Sequence, residues 1–446
     1  MPTRTRLERI GAGDLMQLAS DVGPVPMNVG ALMVLDAGPD LDLPAAQAEL
    51  ARRLGGIRRL RQRLVLLPWV LGRPIWVDDP TFDAAAHVST VRCSPPGDRS
   101  ALLESAMTAV TTPLPRSRPL WRAVFVTALA DGRVGLVLAL HHVLADGIGG
   151  LAVLATLADS AGGPATDGMP SRRQPSTAAL LADAVTTRLA ALSRVPQALG
   201  RLWAARAELG LTRVELAPRC SLNAPTGPRR RVGTVTVELT GIRELADRHS
   251  ATVNDVLLTA VTGAMESVLR ARGEHPPALV ISVPVSARPA TTAADLGNQV
   301  GVMPVRVPMV EPAKTRLRQV AALTRTRKTT SRGSSAALVG PVFRLLAALG
   351  LLRWFVDRQR LVNSFLTNIR GPAGPVSFTG MDVHEVVPVT VTAGNVTVAF
   401  AALSYAGRLT IAVVVDPDRV PDLTSVTDAL RAQLDTLGVE AAHQAS

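Results

Sequence analysis

The stretch that most constrains this chain is Val134 to Gly150, VGLVLALHHVLADGIGG. Its apolar run, Val134 to Leu140, has strand length and is bounded by turn residues before it and histidines after it, which predicts a strand buried on both faces. Such a strand needs protein on either side, so the chain must build layers around it. Trp121 to Leu129 alternates like a second strand, and Asp131-Gly132 between the two marks a hairpin. The hairpin hands His141, His142, Asp146 and Gly147 to one sheet edge with apolar walls, where a titratable group can be kept dry and still meet a ligand.

A base that activates a hydroxyl or an amine must be neutral near pH 7, reach its nucleophile and be held in one tautomer. Imidazole meets the first need unaided. The carboxylate of Asp146 can hold the local turn or pair with a distant arginine, and Gly147 permits the backbone turn this arrangement needs. Two adjacent histidines alone are more often core residues at a strand end; the full HHxxxDG pattern after an apolar strand reverses that weighting. Successive side chains of a strand face opposite ways, so one histidine is expected to face a cavity and a metal shared by both is not expected. GIGGLA, Gly147 to Ala152, fits a dinucleotide-loop spelling, but both histidines intervene between it and the strand, so it reads as part of the motif turn.

At 446 residues the chain fits two lobes, and 47% hydrophobic against 19% charged residues describes a folded globular protein. Cys93 and Cys220 are far apart and match no zinc or redox spacing, which points to a reducing compartment without a disulfide framework. The net charge of +12 admits nucleic acid, an anionic membrane or a phosphorylated ligand, but aromatic residues at 3% and scattered arginines argue against nucleic acid. The N-terminus lacks a secretory pattern, and the apolar segment Ala336 to Leu352 is broken by Pro341 and Arg344, short of the roughly 20 apolar residues a spanning helix needs. A cytoplasmic protein is expected, with peripheral contact to the inner face of the plasma membrane suggested by its charge and by the amphipathic segment Pro341 to Arg360.

Along the chain, strands are expected at Val29–Leu35, Val232–Leu239, Ala278–Val285, Val300–Val307, Asn363–Asn368, Val396–Tyr405 and Leu409–Val415. Helices are expected at Pro44–Leu54, Arg99–Val110, Ile148–Leu157, Thr177–Leu211, Thr315–Lys328, Leu338–Arg360 and after Pro421, and Thr252-Val253-Asn254-Asp255 reads as a capping box opening a helix to Arg272. A Gly/Pro/Ser-rich stretch after Asp159 ends the first lobe. The expected organisation is 1–160 as first lobe, 161–222 as linker and helical connection, and 223–446 as second lobe, each lobe α+β.

HHVLADG resembles the HHxxxDG motif of the coenzyme-A-dependent acyltransferase superfamily. PMNVGALMVLD, PIWVDDPTFDAAAHV, PLPRSRPLW, SLNAPTGPRRRV, TVNDVLL, PVSAR followed by LGNQVG, TNIRGP and SYAGRL resemble, in that order, blocks of the bacterial wax ester synthase/diacylglycerol acyltransferase family. The resemblance spans nearly the whole chain and implies two chloramphenicol-acetyltransferase-like lobes enclosing a central tunnel. It implies long-chain acyl transfer from acyl-CoA, as co-substrate and without a cofactor, to diacylglycerol or a fatty alcohol, with His142 as general base and His141, Asp146 and Gly147 organising the motif. A peripheral membrane or lipid-droplet surface is the implied setting.

The same resemblance makes Asn254, Asn368 and Trp121 candidates for substrate binding or the tunnel, and Arg288 the candidate partner of Asp146. A capping role accounts for Asp255, and a solvated turn for Arg229 to Arg231. Asn28, Pro115 and Leu140 depart from the family pattern, which often has His, Asp and Lys there. Two other readings stand beside this one: acylation or condensation at a different hydroxyl or amine in specialised metabolism, and a non-catalytic lipid-binding relative.

Overall fold

A computed structural model describes residues 7–38, 41–161, 175–192, 216–286, 296, 300–330, 343, 346 and 349–439. The first half holds helix α1 (Ala12–Ser20), strand β1 (Asn28–Asp36), helix α2 (Leu43–Gly55), strands β2 (Gln62–Val65), β3 (Ile75–Asp78) and β4 (Val88–Arg92), helix α3 (Arg99–Thr111), strands β5 (Trp121–Thr127) and β6 (Val134–His141), and helices α4 (Gly147–Ala155) and α5 (Thr177–Leu192). The second holds strand β7 (Arg231–Glu238), helices α6 (Leu239–Arg248) and α7 (Val253–Ala271), strands β8 (Ala278–Ser286) and β9 (Val300–Pro308), and helices α8 (Ala313–Thr330) and α9 (Leu352–Val356). Strands β10 (Ser364–Arg370), β11 (Ser377–Phe378), β12 (Met381–Val389), β13 (Val398–Tyr405) and β14 (Arg408–Val415) and helix α10 (Leu423–Leu437) complete it.

Two six-stranded sheets organise these elements, in the orders β11-β12-β1-β6-β5-β4 and β7-β14-β13-β10-β8-β9, and β2 and β3 form a separate ribbon. The first sheet is not built from the first half alone. Strand β12 pairs antiparallel with β1, from Gly30 opposite Val389 to Asp36 opposite Asp382. The division at residue 223 expected from the sequence therefore fails for residues 377–389, which cross back to the first sheet. Their alternation of Met381, Val383, Val387 and Val389 is a strand signal, but nothing local names a partner some 350 positions upstream.

The apolar run Val134 to Leu140 is buried throughout, as its composition requires. Leu136, Leu138 and Leu140 point into the first lobe's core with Leu50, Leu54 and Trp121, while Val137 and Ala139 point into a second core. That second core holds Leu102 and Met107 of α3 together with Val232, Ala412 and Val414 of the second sheet, so α3 is wedged between the sheets and welds the halves. A third core packs α6, α7 and α10 on the far face of the second sheet. The capping box at the head of α7 forms as spelled, with Thr252 and Asp255 satisfying one another's backbone. Of the helices expected over Thr177–Leu211 and Leu338–Arg360, the described parts are Thr177–Leu192 and Leu352–Val356; the remainder lies largely outside the described residues.

Candidate active site

Strand β6 ends at His141, and alternation sends the two histidines to different surroundings. His141 is 3% exposed. Its Nδ1 accepts the Val143 N–H at 3.1 Å, which leaves the ring proton on Nε2, 3.2 Å from Asp21 Oδ2. The same Asp21 oxygen takes Arg116 at 2.8 Å, and its other oxygen takes the Met27 N–H at 3.1 Å. Burial pushes the Asp21 carboxyl up, but the hydrogen bond from His141, with those from Met27 and Arg116, outweighs it and holds the group at about 2. His141 is thus a buried brace, and Asp21, some 120 positions upstream, is a residue that sequence reasoning did not single out.

His142 has the opposite character. It lies deep in the protein yet keeps part of its surface accessible. Its backbone N–H donates to the Met27 carbonyl at 2.8 Å, so the chain just ahead of β1 fixes where the residue sits. Burial depresses its pKa below the ordinary 6.5, and the charge of Asp146 and the carbonyls of His142 itself and Ala145 oppose that only in part. The imidazole is neutral at pH 7, the form a base needs.

Asp146 is the N-cap of α4, its Oδ1 accepting the Gly149 N–H at 2.8 Å. Its proposed partner Arg288 lies outside the described residues. Gly147 opens α4 and is absent from the positive-φ residues, so it does not serve the backbone freedom expected of it. Its value is closeness: a Cβ there would stand 3.0 Å from Ile369 Cδ1, where β10 of the second sheet meets the motif.

Asn368 follows Thr367 and precedes Ile369 on β10, so it faces away from Gly147. There its Nδ2 donates to Asn254 Oδ1 at 2.6 Å, joining β10 to the head of α7. These two candidates come together, one strand's thickness from the HHxxxDG turn. Asp255 is fully engaged structurally, accepting from Thr252 and, at 2.7 Å, from the Thr324 hydroxyl of α8.

Trp121 departs from its expected place. It is 1% exposed, with Nε1 donating to the Leu60 carbonyl at 2.7 Å and the ring stacked on His87, so it has no surface with which to line a tunnel. Asn28 stands opposite His141 in the β1–β6 register and is sealed from solvent, its Nδ2 donating to the Val110 and Thr112 carbonyls at the end of α3. In the arginine triplet, Arg229 pairs with Asp418, while Arg230 is buried on backbone carbonyls, burial bringing it down to about 10. Among the described residues no cluster of three or more His, Cys, Asp or Glu could hold a metal ion.

Residues 10–257 match the wax ester synthase/diacylglycerol acyltransferase catalytic domain, and residues 296–438 match the WS/DGAT C-terminal domain. The chain belongs to the wax ester synthase/diacylglycerol acyltransferase family. A Mycobacterium bovis protein named as a diacylglycerol O-acyltransferase is 33% identical over 417 residues, covering 89% of this chain and 88% of its own. A second of that name, from Mycobacterium tuberculosis, is 30% identical over 461 residues, covering 96% and 95%. Among solved structures, the wax ester synthase/diacylglycerol acyltransferase of Marinobacter aquaeolei superposes with a TM-score of 0.68 at 22% identity, covering 96% of this chain and 98% of that one. The starter condensation domain of rhizomide synthetase, solved with C8-CoA, gives 0.64 at 15% identity, covering 97% and 95%. This WS/DGAT family member thus has the two-lobed acyltransferase fold, and it is an acyltransferase.

Proposed function

We propose that the protein transfers a long-chain acyl group from acyl-CoA to the hydroxyl of diacylglycerol or a fatty alcohol, with His142 as general base. The observation that carries this is the unequal state of the two histidines: His141 sealed on Asp21, His142 neutral and partly accessible. The imidazole takes the proton of the acceptor hydroxyl as its oxygen adds to the thioester carbonyl. Collapse of the adduct breaks the carbon–sulfur bond, and the departing thiolate takes the proton back from the imidazolium. The products are an oxygen ester, free CoA and neutral His142. No acyl-enzyme is formed and no resident cofactor is required.

The acceptor is a lipid, so we place the enzyme at the periphery of a membrane or lipid droplet; among the described residues no helix is long and apolar enough to cross a membrane. The deciding assay follows thiol release from palmitoyl-CoA with diacylglycerol, with hexadecanol, or with neither. Release that depends on an acceptor and falls by about 10²–10⁴ in His142→Ala is expected. Full-rate release in His142→Ala would sink the mechanism, release with neither acceptor would mean thioester hydrolysis, and no release in any arm would leave a different acceptor or a binding role.

A further inference from the structure

Two tryptophans stand out on the surface. Trp69, in the turn between β2 and β3, is 80% exposed, and Trp354 of α9 is 58% exposed. Each is covered by a guanidinium: Arg188 lies 5.3 Å from the Trp69 ring centre, and Arg358 lies 5.6 Å from that of Trp354. Beside Trp69 runs α5, which buries only Leu180 and Ala184 along its described length, Leu180 against Ile75 and Val77. Its outer face carries Leu181, Val185 and Leu189 at i, i+4 and i+8, the last 61% exposed. Arg188 also donates to the Trp69 carbonyl, which ties this stripe to the turn.

Both tips are tied to the chain around α1. Arg9, just ahead of α1, pairs with Asp183 of α5 at 2.6 Å, and α9 packs against α1 itself. The pairing with Arg9 occupies the one acidic side chain of α5. At Trp69 the cations are Arg188 over the ring and Arg73 four residues along the turn; around Trp354, residues 349–361 carry Arg353, Arg358 and Arg360 against Asp357 alone. An amphipathic aromatic ring beside a guanidinium suits the boundary between headgroups and acyl chains, where the ring is buried and the cation meets phosphate. A protein partner offers no equal reason for two Trp–Arg tips set on a basic rim.

We propose that the Trp69/α5 stripe and the Trp354 tip form the face by which this protein sits on an anionic phospholipid surface. The proposal rests on the lipid-acceptor reading above, since an acceptor insoluble in water must be taken from such a surface. Flotation is measured at low salt with vesicles of phosphatidylcholine alone and of phosphatidylcholine with a minority of phosphatidylglycerol. The unsubstituted protein, Trp69→Ser/Leu189→Glu and Trp354→Ser are compared, with circular dichroism reporting their folding. Wild type should float with the anionic vesicles, and the double variant should lose about tenfold or more of its bound fraction. Trp354→Ser, in the other half of the chain, should lose binding independently, and high salt should weaken all three.

Equal flotation of folded variants and wild type, no flotation of wild type, or equal flotation on neutral vesicles would overturn the proposal. So would light scattering that shows a wild-type dimer made monomeric by the substitutions while flotation stays the same, because the face would then bind a second copy. Thiol release from palmitoyl-CoA with hexadecanol dispersed in non-ionic detergent, without vesicles, is measured in parallel and should be unchanged in the variants. Its absence in wild type would count against the acyltransfer reading and leave the flotation result standing.

Discussion

Asp21 Oδ2 lies 3.2 Å from His141 Nε2, and through it one carboxylate anchors both chain segments that meet at the candidate base. Its other oxygen holds Met27, whose carbonyl holds the backbone of His142. The carboxylate is held at about 2 against an ordinary 3.8, and its side chain is only 12% exposed, so this linkage amounts to about 2 kcal/mol of stability at pH 7. Because the folded value lies below the unfolded one, the contribution is complete above the unfolded pKa and is lost as pH falls towards the folded one. Asp21→Asn should therefore lower urea stability by about 2 kcal/mol from pH 7 to about pH 5, the gap narrowing below that. It should also reduce kcat more than KM, since His142 loses its mounting; a variant as stable as wild type at pH 7 contradicts this account.

The pH profile tests His142 directly. Burial lowers its pKa, and only the neutral ring accepts a proton, so kcat/KM should fall as pH drops through a midpoint below 6.5 and stay level above it. The charge of Asp146 acts in the opposite direction by favouring the imidazolium. Asp146→Asn keeps an N-cap oxygen for α4 but removes that charge, and should move the acid limb to lower pH. A limb that moves up, or a profile without one, would rule His142 out as the titrating base.

What could be read from the sequence divides along the range of the forces involved. Strand β6 was legible because its burial on both faces is written in its own residues, and α7 because Thr252 and Asp255 cap it locally. The separate fates of His141 and His142 follow from strand alternation. The Asp21–His141 contact, the β1–β12 pairing and the closeness of Gly147 to Ile369 were not legible, since each joins residues that no local pattern connects. Trp121 carried a family signal, yet its ring is spent on packing and on Leu60.

Asn254 and Asn368 should behave as one unit. Their hydrogen bond of 2.6 Å joins two half-buried amides, so removing either leaves the other without its partner. Asn254→Ala, Asn368→Ala and the double variant should lose similar activity, with a coupling of about 0.5–1.5 kcal/mol in a double-mutant cycle on kcat/KM. Losses that simply add would show that the two amides act separately.

The strand that crosses between the halves can be strengthened at its turn. Strands β11 and β12 are joined by Thr379 and Gly380 alone, both at positive φ, 49° and 77°. Such a two-residue turn favours Asn-Gly, whereas a β-branched residue is strained there. The backbone N–H groups of Thr379 and Gly380 each donate to Asp159 at 2.9 Å, which pins the turn to the first lobe. The Thr379 hydroxyl is buried without a hydrogen-bond partner, so it offsets none of the strain. Thr379→Asn should raise stability by about 1 kcal/mol, seen as a higher urea midpoint at unchanged slope. An unchanged or lower midpoint would mean that the threonine packs well enough to balance its backbone.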